Sequence, residues 1–379
     1  MKKLLLAALV FISSTLAFAQ TPEVGGTLVF GRSGDTSSMD PSHVTDGESF
    51  YAATQVYDNL VQFKYGSTEI EPGLATSWKA SADGLTYTFN LRKGVYFSNT
   101  KYFKTKSEFT SADVVFSLKR QFDKSHPYNK IGGAFRYWSA MDMSNIVEDV
   151  IAVDKYTVKI TLKKKEAPFI ANLAMEFAMI LSNDYATELA AKAKESDLGK
   201  KPVGTGPFVF KKWVKDDKIT YTANKNYWNG RPYVDKLIFK VITNNAVRAA
   251  ELKAGSIHIM DFPNPAEVPG LEANEKIKLV KQEGLNVGYL AFNMEKDIFK
   301  NKLVRQAISH AINMQGIVDS VYEGLGKVAN NPIPPTMWSY NKNLKGYEYS
   351  VQKAKDLLKK AGYENGFKTN IWAMPVARP

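Results

Sequence analysis

Residues 72–91 read Pro-Gly-Leu-Ala-Thr-Ser-Trp-Lys-Ala-Ser-Ala-Asp-Gly-Leu-Thr-Tyr-Thr-Phe-Asn-Leu. Polar and apolar residues alternate over 76–79 and again over 86–91, the period of a half-buried strand. Between the two runs stands Asp83-Gly84, a dipeptide suited to the positive φ angles of a tight hairpin turn. A further short run at 60–63 precedes them, set off by turn residues at Gly66 and Pro72-Gly73. The stretch therefore predicts a meander of antiparallel strands.

Working outward, strands and helices interleave on both sides. Toward the N-terminus the pattern predicts a strand at 26–30, a turn-rich loop at 31–48 and a helix at 49–60, where Ala52, Val56 and Leu60 are spaced by four. Toward the C-terminus, 111–122 predicts a helix capped by Ser111, with Asp113 in its first turn and Val114, Val115 and Leu118 on its apolar face. Residues 147–162 predict two strands across a turn at Asp154-Lys155. The run 170–181 is too apolar for a surface helix and is expected to be buried. An alanine-rich helix follows at 186–193, then strands at 208–213, 219–223 and 236–243. A helix at 245–254 stops at Gly255. A strand at 288–293 precedes the longest helical pattern, 302–322. A rigid loop at 330–335 follows, then a helix at 350–361 capped by Ser350 and ended by Gly362, and a last strand at 367–372. This mixture is α/β, or mixed α+β, and no repeat of solenoid or propeller length is visible.

The chain has 379 residues, 44% hydrophobic and 23% charged, with no cysteine and four histidines. That length suits two or three domains of ordinary globular composition. Without cysteine there is no disulfide, thiolate metal site, cysteine nucleophile or lipid on an N-terminal cysteine. No two histidines share a short spacing, so no metal site is expected. Lys2 and Lys3 precede an apolar run at 4–16, too short to span a bilayer, and Ala17-Phe18-Ala19 supplies a small-x-small pattern. This predicts a signal peptide, residues 1–19, cleaved after Ala19, and an exported, non-lipidated, periplasmic protein. The formal charge of +12 falls to +10 when Lys2 and Lys3 leave. The lysines are dispersed, which describes a solvated surface better than a nucleic-acid interface.

Motifs for catalysis are missing from the sequence. There is no nucleophile elbow, Walker A loop, His-Glu-x-x-His or dinucleotide fingerprint. Gly204-Thr-Gly206 is followed by Pro207 and a strand rather than a helix, so it is a poor phosphate cradle. Aromatic residues cluster with Asn and Gly at 226–230, 135–138 and 337–341, where they can line a cleft or pack strand ends.

Several segments together resemble the periplasmic peptide-binding proteins of ABC importers. They are Pro72-Gly-Leu-Ala-Thr-Ser-Trp78, 81–89, 91–95 and Thr110-Ser-Ala-Asp-Val-Val-Phe-Ser117, then Gly204-Thr-Gly-Pro-Phe208, Asn226-Tyr-Trp-Asn-Gly-Arg-Pro232, 248–255, Val304-Arg-Gln-Ala-Ile308, Ile333-Pro-Pro335 and 354–363. Within that family, Gly284-Leu-Asn-Val-Gly-Tyr289, Pro334-Pro-Thr-Met-Trp338 and Trp372-Ala-Met-Pro-Val-Ala-Arg-Pro379 resemble the dipeptide-, haem- and glutathione-binding branch. The sequence departs from the pattern at Ser256-Ile-His258 and at Ser98-Asn99-Thr100.

The resemblance implies a two-lobe periplasmic binding protein fold with an extra inserted domain. Its lobe one would hold a main domain from 20–57 and 183–283 and the inserted domain 58–182. Lobe two would begin within 284–379 and be incomplete, because the family's pattern runs on. It implies a carrier rather than an enzyme, with no cofactor. The ligand would be a short peptide, most simply a dipeptide, with haem or glutathione as the alternative; the partner would be an inner-membrane ABC permease and the protein a monomer. An exported hydrolase is the remaining alternative from a different class. By the same resemblance Arg378 would pair with a peptide's C-terminal carboxylate, for which a guanidinium fork is suited. The stretches holding Thr45, Asp46 and Gly47, and Gly133, Ala134 and Phe135, would face the cleft. A chain ending within lobe two is expected to expose apolar surface, bind weakly and aggregate.

Overall fold

The computed structural model describes residues 22–105 and 108–373. The signal-peptide reading and Arg378 lie outside the described residues. Eleven strands occur among them: β1 (Thr27–Arg32), β2 (Val61–Phe63), β3 (Ile70–Pro72), β4 (Ala75–Ala80), β5 (Thr86–Leu91), β6 (Val147–Asp154), β7 (Thr157–Leu162), β8 (Phe208–Val214), β9 (Lys218–Ala223), β10 (Lys236–Val241) and β11 (Ile259–Met260). They form a five-stranded sheet in the order β11-β1-β10-β9-β8, a four-stranded sheet β4-β5-β7-β6 and the pair β2-β3.

The hairpin read at Asp83-Gly84 is present. Gly84 adopts φ +70° and its amide donates to Ser81 O at 2.9 Å. Trp78 then lies opposite Phe89, and Phe89 opposite Val158. Phe89, Val150, Val158 and Ile160 are buried on the inner face of this sheet.

The five-stranded sheet sets up the site. β1 runs parallel to β10 and β11, with Arg32 opposite Val241 and Gly31 opposite Met260. β9 is antiparallel to both β10 and β8. Consequently β1, β8, β10 and β11 all point the same way, and their carboxyl ends open on one edge.

Where the structure departs from the periodicity, tertiary hydrogen bonds explain it. The first long helix is Gly47–Thr54, not 49–60. Val56 and Leu60 are still buried, but the chain straightens because Phe208 N donates to Gln55 O and Gly206 N to Val56 O, both at 2.8 Å. A Cβ on Gly206 would stand 2.6 Å from the Val56 carbonyl carbon, so this close approach requires glycine. Beside it Asp58 accepts from Thr205 Oγ1 at 2.6 Å, Tyr227 Oη at 2.9 Å and Trp228 Nε1 at 3.1 Å. Burial pushes the Asp58 carboxyl up. This junction gives Gly204-Thr-Gly206 and the Tyr-Trp pair a packing role.

The helix read at 111–122 is Ser111–Lys119, and its cap is Thr110, not Ser111. The Asp113 carboxylate accepts from Thr110 N at 2.8 Å, while Ser111 Oγ donates to Asp154 O at 2.6 Å. The apolar run at 170–181 is buried as expected at its end, but it is not one helix: Phe169–Asn172 and a 3-10 turn, Glu176–Ala178, interrupt it. Its backbone is satisfied elsewhere, by Ile180 N to Asp58 O at 2.9 Å and Leu181 N to Ser117 Oγ at 2.8 Å. The helical pattern of 302–322 divides into Lys302–Ala311 and Met314–Val321, because Ile312 is extended and Asn313 caps the second piece by accepting from Gly316 N. The strands expected at 288–293 and 367–372 do not form. No other described segment pairs with either, and alternation without a ladder partner leaves the backbone unsatisfied.

Candidate functional site

In open sheets, ligand sites lie outside the carboxyl ends of parallel strands, so the edge holding the ends of β1, β8, β10 and β11 is the candidate site. Each strand end carries polar groups. At β1, Arg32 is 1% exposed. It pairs with the Glu48 carboxylate, donates to Glu48 O and lies over the rings of Tyr51 and Phe239, 5.6 and 4.7 Å from their centroids. A buried guanidinium needs such partners. The parallel register carries Asp261, just past β11, alongside Arg32. Burial and then the neighbouring Glu48 push the Asp261 carboxyl up, and its Oδ1 has no hydrogen-bond partner. Tyr51 stays 41% exposed at this edge; burial of the rest of the ring, then Asp261 and Glu48, raise its hydroxyl. At the β8 end, Trp213 Nε1 donates to both Asp35 oxygens at 3.0 Å.

The loop after β1 is fixed from beneath. Asp40, in the 3-10 turn region before His43, accepts Arg120 Nη1 on Oδ2 at 2.6 Å and Arg120 Nη2 on Oδ1 at 2.7 Å. Burial alone would raise this carboxyl, but the charge and hydrogen bonds of Arg120 outweigh it and hold Asp40 at about 2. Next to this pair, His43 stacks on Phe135, with ring centroids 4.3 Å apart. A Cβ on Gly132 would come within 2.8 Å of the His43 ring, and Gly132 has φ +85°, so glycine allows this loop to close over the imidazole.

The residues expected from the sequence fall here as follows. Asp46 caps the helix Gly47–Thr54, its Oδ1 accepting from Ser49 N at 2.8 Å and its Oδ2 from Ser37 Oγ at 2.9 Å. Thr45 and Gly47 beside it are exposed. Gly133 and Ala134 are exposed on the neighbouring loop, and Phe135 is buried against His43. The 3-10 turn Pro41–His43 thus joins the two stretches. Arg32, Tyr51, Asp261 and His43 were not singled out from sequence. An arginine closing an apolar strand pattern was the available signal for Arg32; the others depend on strand register and loop packing. Among the described residues no group of three or more His, Asp and Glu side chains is placed to hold a metal ion, and no helix is long and apolar enough to cross a membrane.

Residues 69–377 match the family described as bacterial extracellular solute-binding proteins, family 5. The chain belongs to this family. Among curated relatives, it is 46% identical to heme-binding protein A of Haemophilus influenzae over 340 residues and 42% identical to the dipeptide-binding protein of Escherichia coli over 355. Those matches cover 89% and 93% of this chain but 62% and 66% of the relatives, so the chain spans about two thirds of their length. Among solved structures it resembles the periplasmic binding protein DppA from Helicobacter pylori in complex with the peptide STSA, with a TM-score of 0.86, 52% identity and coverage of 92% of this chain and 68% of that one. A dipeptide-binding protein from a Pseudoalteromonas species in complex with Met-Leu gives a TM-score of 0.87 at 35% identity, covering 93% and 70%. The mixed α/β architecture of this family 5 chain is that of two-lobe periplasmic binding proteins.

Proposed function

We propose that this family 5 protein is a non-enzymatic carrier that captures short peptides, dipeptides in the first place, in a periplasm and delivers them to a membrane ABC permease. The observation that carries the reading is the likeness to the H. pylori protein with a bound peptide. The open edge at the ends of β1, β8, β10 and β11 supports it, because exposed backbone at Thr45, Gly47, Gly133 and Ala134 can pair with a peptide main chain irrespective of its side chains. In this reading the leader is removed after Ala19, Arg378 binds the ligand's carboxylate, and lobe one comprises 20–57 with 183–283 and the inserted 58–182.

The test is calorimetric titration of the mature protein with di- and tripeptides, free amino acids, glutathione and haem. Dipeptides should bind, and Arg378→Ala should weaken them by roughly tenfold or more, the scale of a lost charge-assisted pair. Lack of binding by every peptide would overturn the reading, and unchanged affinity in Arg378→Ala would overturn that residue's role. The second reading is a haem carrier, favoured by the identity to heme-binding protein A. Competition between haem and a dipeptide for one site separates the two.

A further inference from the structure

The stretches 45–47 and 133–134 come from distant parts of the chain, yet the peptide reading asks both to present backbone to one ligand. Among the described residues no backbone–backbone hydrogen bond joins them. The second stretch has little rigidity of its own, since Gly132 and Gly133 both take positive φ, +85° and +109°, and glycine leaves that conformation freely. Side chains must therefore hold the two stretches in register.

His43 occupies the junction. It ends the 3-10 turn Pro41–His43, just ahead of Thr45, and its ring stacks on Phe135 at 4.3 Å with 30° between the planes. The carbonyls of Ile131 and Ala134 face the ring, and Nε2 stands 3.6 Å from Asp40 Oδ2. Arg120 braces both sides of this contact. On one side it holds Asp40 and donates from Nη2 to Ser42 Oγ at 2.6 Å. On the other its Cζ lies 5.7 Å from the Phe135 centroid, and its carbonyl accepts from Asn129 Nδ2 at 2.9 Å. Shifting the ring therefore shifts both stretches.

The ring fits this place as a neutral group. Burial lowers its pKa, with Asp40 opposing that effect and Arg120 adding to it. Glu48, Arg136 and Glu176 stand on elements packed against Pro41–His43, and Glu195 and Lys200 line the crevice beside it. Protonation sets a second buried cation next to Arg120, whose carboxylate partner is already doubly engaged. The folded-state pKa lies below the ordinary 6.5, so the junction is at full strength above about pH 6.5 and weakens as pH falls.

We propose that His43 is a positioning residue for peptide capture: its ring locks the 45–47 stretch to the 133–134 stretch, so that both meet one ligand. This inference rests on the peptide reading. Pre-forming the two stretches removes an ordering cost that the ligand would otherwise bear.

The test is calorimetric titration of the mature protein and its variants with alanyl-alanine between pH 5.5 and 7.5. At pH 7.5 His43→Ala should weaken binding about fivefold, the scale of one lost aromatic contact. His43→Phe keeps a flat ring without a proton, so it should restore most of that affinity. It should also lose the part of the parent's decline below pH 6.5 that belongs to this ring. Comparing these two proteins separates His43 from His126 and from Asp113, which burial raises to about 6. Without ligand, His43→Ala should speed hydrogen exchange of both 44–50 and 131–137, a readout that a purely local packing role would confine to one stretch. Thermal melts check that each variant folds. Affinity unchanged in His43→Ala, a parent-like pH profile in His43→Phe, or exchange altered in one stretch alone would each overturn the role. A parent that binds no peptide would sink the peptide reading and this role together, whereas a parent that binds and a His43→Ala variant that binds equally well would sink this role only.

Discussion

The Asp40–Arg120 pair shows how a single buried carboxylate can anchor a loop next to a ligand edge. Its folded-state pKa, about 2, lies below the ordinary 3.8. The carboxylate therefore stabilises the fold above about pH 4, and that contribution is lost as pH falls toward 2. Asp40→Asn should flatten the acid side of the stability curve in that window, read by urea denaturation at a series of pH values; an unchanged slope would count against the pair. Arg120→Met should be harsher, costing about 3–5 kcal/mol, because it strands a buried carboxylate without its cation. Neither effect is visible in the sequence, where Asp40 and Arg120 stand eighty positions apart in unremarkable polar surroundings.

At the scale of elements, the strands and short helices with local signals were legible. β5 occupies 86–91 as read, and the helix Asn245–Ala254 ends at Gly255 with φ +77°. Errors collected where backbone groups are satisfied from afar. The helix starting at Gly47 should, by spacing, continue through Val56, but the carbonyls of Gln55 and Val56 accept from the segment at 206–208 instead. Gly206→Ala tests this junction: its Cβ would press on the Val56 backbone, and a loss of about 1–3 kcal/mol is expected, the range of overpacking. A variant as stable as the parent in chemical denaturation would show that the junction can relax. Apolar spacing likewise cannot show that Ile312 is extended, since that break is set by the cap at Asn313 and by the contact of Lys302–Ala311 with Val351–Lys360, where Val304, Ala307 and Ala354 are buried.

At the scale of the molecule, the core runs through the first 240 residues, while large apolar side chains beyond residue 280 face water. Tyr289 is 83% exposed, Trp338 87% and Trp372 91%. Contiguous exposed apolar surface promotes association. The chain as it stands should therefore bind a hydrophobic dye and self-associate with rising concentration in sedimentation velocity, and replacing Tyr289 and Trp338 by Ser should reduce both. A monodisperse, dye-silent protein would contradict this.

The sequence alone determined the mixed α/β class, the antiparallel meander with its turn at Asp83-Gly84, the glycines and caps of several helices, and an ordered set of motifs specific enough to indicate the family. These are short-range or linear signals, carried by period, turn chemistry and motif order. Only the tertiary structure decided that β1, β8, β10 and β11 end on one edge, that Asp261 stands beside Arg32, and that His43 stacks on Phe135 under Gly132. Those placements depend on strand register and on hydrogen bonds between segments far apart in the chain, for which hydrophobic period contains no information.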